Sequence, residues 1–249
     1  MFARPSCALA ALALMACLLP AAARAGGYGG FDWGQSQVSI AKALAKTGKA
    51  LRPRGDVEAV QLEARVQAAE HEEKIRRAVE KKRPAADIRR LKKAKRPAPR
   101  LSAQFYWVEL GPLDAKVLLH FLDLRLVAAE VDVPFAASQR PAVAELLDLL
   151  ESKYGAPKEH RGAAAPEAPV VDLFDAGDTT VEAWQQPAAR GRSGLLHLVY
   201  HARERREARD GYLEELRTRL EAVELARKPK GPTPEERESA RKAALLQHL

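Results

Sequence analysis

Three short runs, AQFYWVEL, KVLLHFL and LRLVAAEVDV, follow one another between Ala103 and Val133, broken only around Gly111-Pro112 and Asp123. Each is rich in β-branched and aromatic residues and short enough to be a strand. Links this brief cannot hold a parallel crossover, which needs about a dozen residues or more, so the strands must be antiparallel neighbours. In the third run Leu124, Leu126, Val131 and Val133 alternate with polar residues, which predicts a sheet with one face covered and the other partly wet. Two further strands, TTVEAW and LLHLVYH, are joined by Arg190-Gly191-Arg192-Ser193-Gly194 as a hairpin-like turn.

Helical signals surround this sheet. Ser36 is placed to cap a short helix carrying Ile40 and Leu44 on one face, with Gly48 as its stop. In SQRPAVAELLDLLESKYGAP, Ser138 is the expected cap. Val143, Leu146, Leu147, Leu150 and Tyr154 form the apolar stripe, and Gly155 with Pro157 ends the helix. Leu213, Leu216, Leu220 and Val223 repeat at spacings of three and four, and Thr233-Pro234-Glu235-Glu236 reads as the start of a last helix. The fold class expected is α+β: a single antiparallel sheet of about five strands with helices on one face, a charged helical or disordered insert, and C-terminal helices. Trp33, Tyr154 and Trp184 are expected in its core.

The first 25 residues, MFARPSCALAALALMACLLPAAARA, carry Arg4, an apolar run from Cys7 to Leu19 and a small-x-small site at Ala23-Arg24-Ala25. The run is shorter than the ~20 residues a bilayer span needs, so it reads as a secretory signal cleaved near Ala25. The alternative is a lipoprotein anchored through Cys17, since Leu14-Met15-Ala16-Cys17 loosely matches a lipobox. The chain's two cysteines, Cys7 and Cys17, both lie in this segment. The exported chain, periplasmic or secreted, is then expected to hold no thiol chemistry and to rely on core burial for stability.

Charge is concentrated in one place. From Lys74 to Arg100 there are thirteen Lys and Arg against Glu80 and Asp87, a net of +11 within a chain whose total is +8. The sequence therefore divides into the signal (1–25), an N-terminal helix of the α+β domain (26–51), a basic insert (52–100), the sheet and helix of that domain (101–202) and a helical extension (203–249). The insert's cations repel one another and Pro84, Pro97 and Pro99 interrupt it, so it is expected to be extended or loosely helical. Lys74, Arg76, Arg77, Lys81, Lys82, Arg83, Arg89, Arg90, Lys92 and Lys93 are its candidate residues for an anionic partner: lipid phosphate, cell-wall polymer or an acidic envelope protein. Nucleic acid is disfavoured, because the insert is exported and has no aromatics to stack on bases.

Phe31-x-Trp33-Gly34-x-Ser36 opening a helix, strands after it, then Lys153-Tyr154-Gly155-x-Pro157 and a strand ending at Trp184, resembles small exported bacterial envelope domains. The layout is similar to the small outer-membrane-assembly lipoproteins and to β-lactamase-inhibitor-protein-like folds, over about 31–48 and 102–201. The resemblance implies a non-catalytic role in binding or envelope assembly.

Sites for chemistry are sparse. His197 and His201 share a strand face but stand about 13 Å apart by strand rise, too far to ligate one metal together. His120 lies in another strand. Asp172, Asp175 and Asp178 recur near Gly177 without the spacing or terminal glutamate of a Ca²⁺ loop. No nucleophile elbow, phosphate loop or dinucleotide fingerprint is present. No catalytic residue, metal or cofactor is therefore expected. The alternative is an envelope enzyme or metal-dependent binder using His120, His197 or the aspartates of 172–178. The seam at 212–225 leaves two uses open, packing on the sheet or pairing with a second copy. No segment after the signal is expected to cross a membrane.

Overall fold

The computed structural model describes residues 27–161, 170–188 and 193–227. The last helix expected after Thr233, the signal segment and most of the Arg190–Gly194 link lie outside the described residues. The described residues form two compact units: those up to Glu63 and between Ala98 and Leu213 make one, those between Ala64 and Pro97 and from Glu214 on make the other.

The first unit is α+β and built on one antiparallel sheet, but the sheet has eight strands, not about five. Its order is β3(Arg52–Pro53), β4(Leu101–Leu110), β5(Leu113–Leu122), β6(Arg125–Phe135), β10(Gly194–Ala202), β9(Thr179–Gln186), β8(Val170–Ala176), β7(Glu159–Arg161). The five expected strands occupy its centre, and the additions are at the edges. β3 and β7 are too short to carry an alternation. β8, with Phe174 buried, was hidden by aspartates that resemble a loop. A separate two-stranded ribbon, β1(Gly27–Tyr28) with β2(Phe31–Asp32), opens the described chain.

One face of the sheet carries the main core. Val117 and Leu119 of β5, Val131 and Val133 of β6, and Leu196, Leu198 and Tyr200 of β10 pack there with Ile40 and Leu44 of α1(Gln37–Lys46) and Val143, Leu146 and Leu150 of α4(Arg140–Tyr154). A bulge keeps β6 in phase: its register against β5 shifts between His120 and Phe121, which inserts Val127 as an extra residue. Leu126 and Val131 are an odd number of residues apart, so only such an insertion lets both face the core. The β5–β6 turn is Asp123-Leu124, both at positive φ (50° and 62°), as a two-residue type I′ turn requires.

The Trp-Gly-x-Ser opening docks on that hairpin. Gly34 N–H donates to Leu126 O (2.9 Å), Leu126 N–H to Gln35 O (3.0 Å) and Gln37 N–H to Leu124 O (2.9 Å). Gly34 sits at φ +82°, the left-handed region that favours glycine, and the Arg205 guanidinium lies where a Cβ would be, 2.3 Å away. Ser36 Oγ caps α1 by accepting from Ser39 N–H (3.2 Å). At α4 the capping residue differs from expectation: Ser138 falls in a single 3₁₀ turn (Ala137–Gln139), and Gln139 Oε1 accepts from Ala136 N–H (2.8 Å).

Of the three expected core aromatics, Trp33 and Tyr154 are half-buried against the core. Trp33 Nε1 donates to Thr179 Oγ1 (2.9 Å). Trp184 is 46% exposed, because its position in β9 points to the opposite face. That face is not bare of helix, in contrast to the one-sided arrangement expected. α5(Arg203–Arg227) opens over it, with Arg206 paired to Glu182 (3.2 Å). Nearby, buried Glu63 of α2(Glu58–Glu80) accepts from the N–H groups of Arg100 and Leu101 (both 2.8 Å) and from Tyr212 Oη (2.9 Å).

The second unit is helical: the rest of α2, α3(Ala85–Lys93) and the rest of α5. Arg219 forks onto Glu70 (2.8 Å twice), Arg76 donates to Ala226 O (3.2 Å), and Arg227 pairs with Glu72 (2.8 Å). Glu70 meets Arg219, and Glu72 and Arg76 further along α2 meet Arg227 and Ala226 further along α5, so the helices run parallel. The Leu216 seam thus has α2 beside it, and Val66, Ala78 and Leu216 are buried in this unit.

Candidate functional site

The insert is folded, not extended. α2 continues unbroken through Lys74, Arg76 and Arg77 to Glu80, because the acids that neutralise its cations lie just upstream. Glu73 sits one turn before both arginines and accepts from Arg76 (2.7 Å) and Arg77 (2.6 Å), as i,i+3 and i,i+4 helix neighbours do. Arg76 also pairs with Glu80. The hydrogen bonds from Arg76 and then Arg77 hold the Glu73 carboxyl down at about 2. Lys74 is exposed, and its charge acts on Glu70.

Beyond Glu80 the balance changes. Lys82, at φ 49°, turns the chain left-handed and ends α2, and Pro84 starts α3. Lys81, Lys82, Arg83, Arg89, Arg90, Lys92 and Lys93 are all exposed, and none forms an ion pair among the described residues. On α3, steps of about 100° per residue place Lys92, Arg89, Lys93 and Arg90 in one arc, with half-buried Ile88 and Leu91 outside it. Three of the four fall in the last turn, where the helix dipole favours positive charge. The ten candidate residues thus separate into three that have acidic neighbours and seven that present bare charge.

The histidines and aspartates of the alternative reading are absorbed in cross-strand pairs of the first unit. His120 Nε2 lies 2.7 Å from Glu130, and His197 Nδ1 lies 2.6 Å from Asp132 directly opposite it. Asp132, by that hydrogen bond, raises the His197 pKa. Asp172 meets His160 (2.5 Å), Asp175 meets Lys158 (2.6 Å) and Arg203, and Asp178 accepts from the Thr179 hydroxyl (3.2 Å). Among the described residues no three His, Cys, Asp or Glu side chains converge to hold a metal ion. Likewise, no described helix is long and apolar enough to cross a membrane.

A cleft of about 820 Å³ opens between the β1–β2 ribbon, α1 and the β4–β5 hairpin. Tyr28, Phe31, Leu44, Tyr106 and Val108 form apolar walls, and Thr47, Lys49, Glu109 and Asp114 are its polar liners. Lys49 Nζ stands 6.0 Å above the Tyr106 ring. Sequence reasoning missed this cleft, since its walls come from five separate elements. No family model, curated protein or solved structure matches this chain.

Proposed function

We propose that this chain is an exported, non-catalytic interaction protein of the bacterial envelope whose basic arm engages an anionic surface. The observation that carries the reading is the set of seven exposed cations from Lys81 to Lys93, faced by Asp87 alone within that stretch. A cation near an anionic membrane gains about 1 kcal/mol, so even partial engagement of seven exceeds what surface ion pairs within the chain are worth. The apolar leader and the Ala23-x-Ala25 site support export, and the resemblance of the Trp-Gly-x-Ser opening to envelope domains supports a binding role.

The test uses the full exported chain and vesicles of phosphatidylglycerol mixed with phosphatidylcholine. Binding should rise with phosphatidylglycerol content and fall steeply with added salt, because screening confines the attraction to about 8 Å at physiological ionic strength. A variant with Arg89, Arg90, Lys92 and Lys93 all changed to Gln should keep its circular dichroism and lose most binding. Binding independent of salt, or unchanged in that variant, overturns the reading.

A further inference from the structure

Five side chains form one row across the sheet: Trp107 on β4, Lys116 on β5, Asp132 on β6, His197 on β10 and Trp184 on β9. Each stands directly opposite the next in the strand register. Their chain neighbours Tyr106, Val117, Val131, Leu196 and Ala183 all belong to the main core, so the row projects from the other face. The first turns of α5 cover that face nearer the Asp123–Leu124 turn, at the levels of Glu182 and Glu130. The row itself remains open. Trp107 is 54% and Trp184 46% exposed, and the Asp132 and His197 side chains are 41% and 27% exposed.

A single exposed tryptophan needs no explanation, but two at opposite ends of one polar row do. Neither fills the core, and neither indole N–H has a partner among the described residues. We infer that this row binds a strand of neutral β-1,4-linked hexopyranose rings, lying across the strands with one ring stacked on each indole. Adjacent strands are about 4.8 Å apart, so the four steps from β4 to β9 separate the backbone positions of the two tryptophans by about 19 Å. The ring repeat of a β-1,4 strand is close to that interstrand spacing, so successive rings fall over successive side chains.

The chemistry between the tryptophans fits the same occupant. Sugar hydroxyls both donate and accept. Asp132 offers carboxylate oxygens, Lys116 Nζ donates, and His197 presents Nε2 because Nδ1 is engaged with Asp132. The C–H face of a pyranose is apolar and flat, matching an exposed indole. The signs alternate along the row, and beside it Glu130 and Glu182 are balanced by Arg54, Arg206 and Arg209, so no field of one sign selects a polyanion. A hydrophobic peptide is disfavoured by the charged centre. This site is separate from the basic arm and does not depend on it.

The experiment titrates the full exported chain with cellohexaose and with the hexamer of N-acetylglucosamine, followed by calorimetry and tryptophan emission. Trp33, hydrogen-bonded to Thr179, is the chain's third tryptophan, so a change in emission on binding reports chiefly on the row. At least one hexamer should bind, its monosaccharide should bind far more weakly, and Trp107→Ala and Trp184→Ala should each weaken the hexamer about tenfold, one stacking contact's worth. Asp132→Asn, which keeps the shape of the row, should weaken it as well and serves if a tryptophan variant fails to fold. Failure of both hexamers, binding that these variants leave unchanged, or a monosaccharide as tight as its hexamer overturns the proposal.

Discussion

His120 and His201 stand on either side of Ala128 in one row of the sheet, both buried, yet only His120 has an acid at contact distance. His201 Nδ1 is buried without a hydrogen-bond partner. Burial first, then the charges of Arg206, Arg209 and His120, hold the His201 pKa down at about 4, with Glu130 a weaker opposing influence.

The sign of the consequence is fixed by linkage. An unfolded histidine titrates near 6.5, so in acid the unfolded chain takes up a proton that folded His201 refuses. Its contribution to stability is full above about 6.5 and lost as pH falls through about 4. His201→Leu should reduce the stability lost between pH 7 and pH 4 by up to about 3 kcal/mol. Urea melts at the two pH values measure this, and parallel losses in both proteins would refute it.

Glu63 ties three elements through one carboxylate, accepting from Arg100 N–H, Leu101 N–H and Tyr212 Oη. Glu63→Ala strands two backbone donors and a phenol in a buried site, at a cost of about 2–4 kcal/mol. Tyr212→Phe removes one neutral donor and should cost about 1 kcal/mol. The difference between the two, read from denaturant midpoints, checks the clamp.

Leu124 occupies a left-handed turn position while 57% exposed, so it carries backbone strain without burying much surface. Leu124→Gly, which makes the turn Asp-Gly, should raise stability by about 0.5–1 kcal/mol. A lowered melting temperature would mean that the side chain contributes packing.

Trp33 is half-buried and spends its indole N–H on Thr179. Trp33→Phe should cost about 1 kcal/mol for the lost hydrogen bond, and Trp33→Ala about 3 kcal/mol, the lower end for a buried aromatic. Thermal melts of the two variants separate the polar from the apolar share.

The basic arm should show a division of labour. Changing Glu73, Arg76, Arg77 and Glu80 together to Gln removes a cluster whose charges cancel, and should weaken α2 while leaving vesicle affinity nearly unchanged. Removal of any one of Arg89, Arg90, Lys92 or Lys93 should lower vesicle affinity about fivefold, the equivalent of 1 kcal/mol. Glu73→Gln frees two guanidinium groups and should increase affinity. Cosedimentation at fixed salt ranks all of these variants.

Much of this molecule could be derived from local sequence. Links too short for a crossover dictated an antiparallel sheet, and β4, β5, β6, β9 and β10 lie where alternation and β-branching put them. Ser36, Gly48 and Gly155 bound helices because their conformations or side chains satisfy backbone groups nearby in the chain. Even the β6 bulge was implicit in the odd spacing of Leu126 and Val131. The Glu73–Arg76–Arg77 pairing was implicit too, in unlike charges spaced i,i+3 and i,i+4 across the edge of the basic run.

What local pattern could not supply is every feature that depends on which strands become neighbours. β7 and β8 exist as strands because β9 offers them an edge, and their own residues carry weak or misleading signals. Trp184 read as core because a large aromatic in a strand usually is; the face on which it falls is set by its register against His197. The row from Trp107 to Trp184 joins residues far apart in the chain through four strand pairings. Side-chain alternation is a property of each strand alone, but the meeting of two alternations across hydrogen bonds is decided only when the sheet closes.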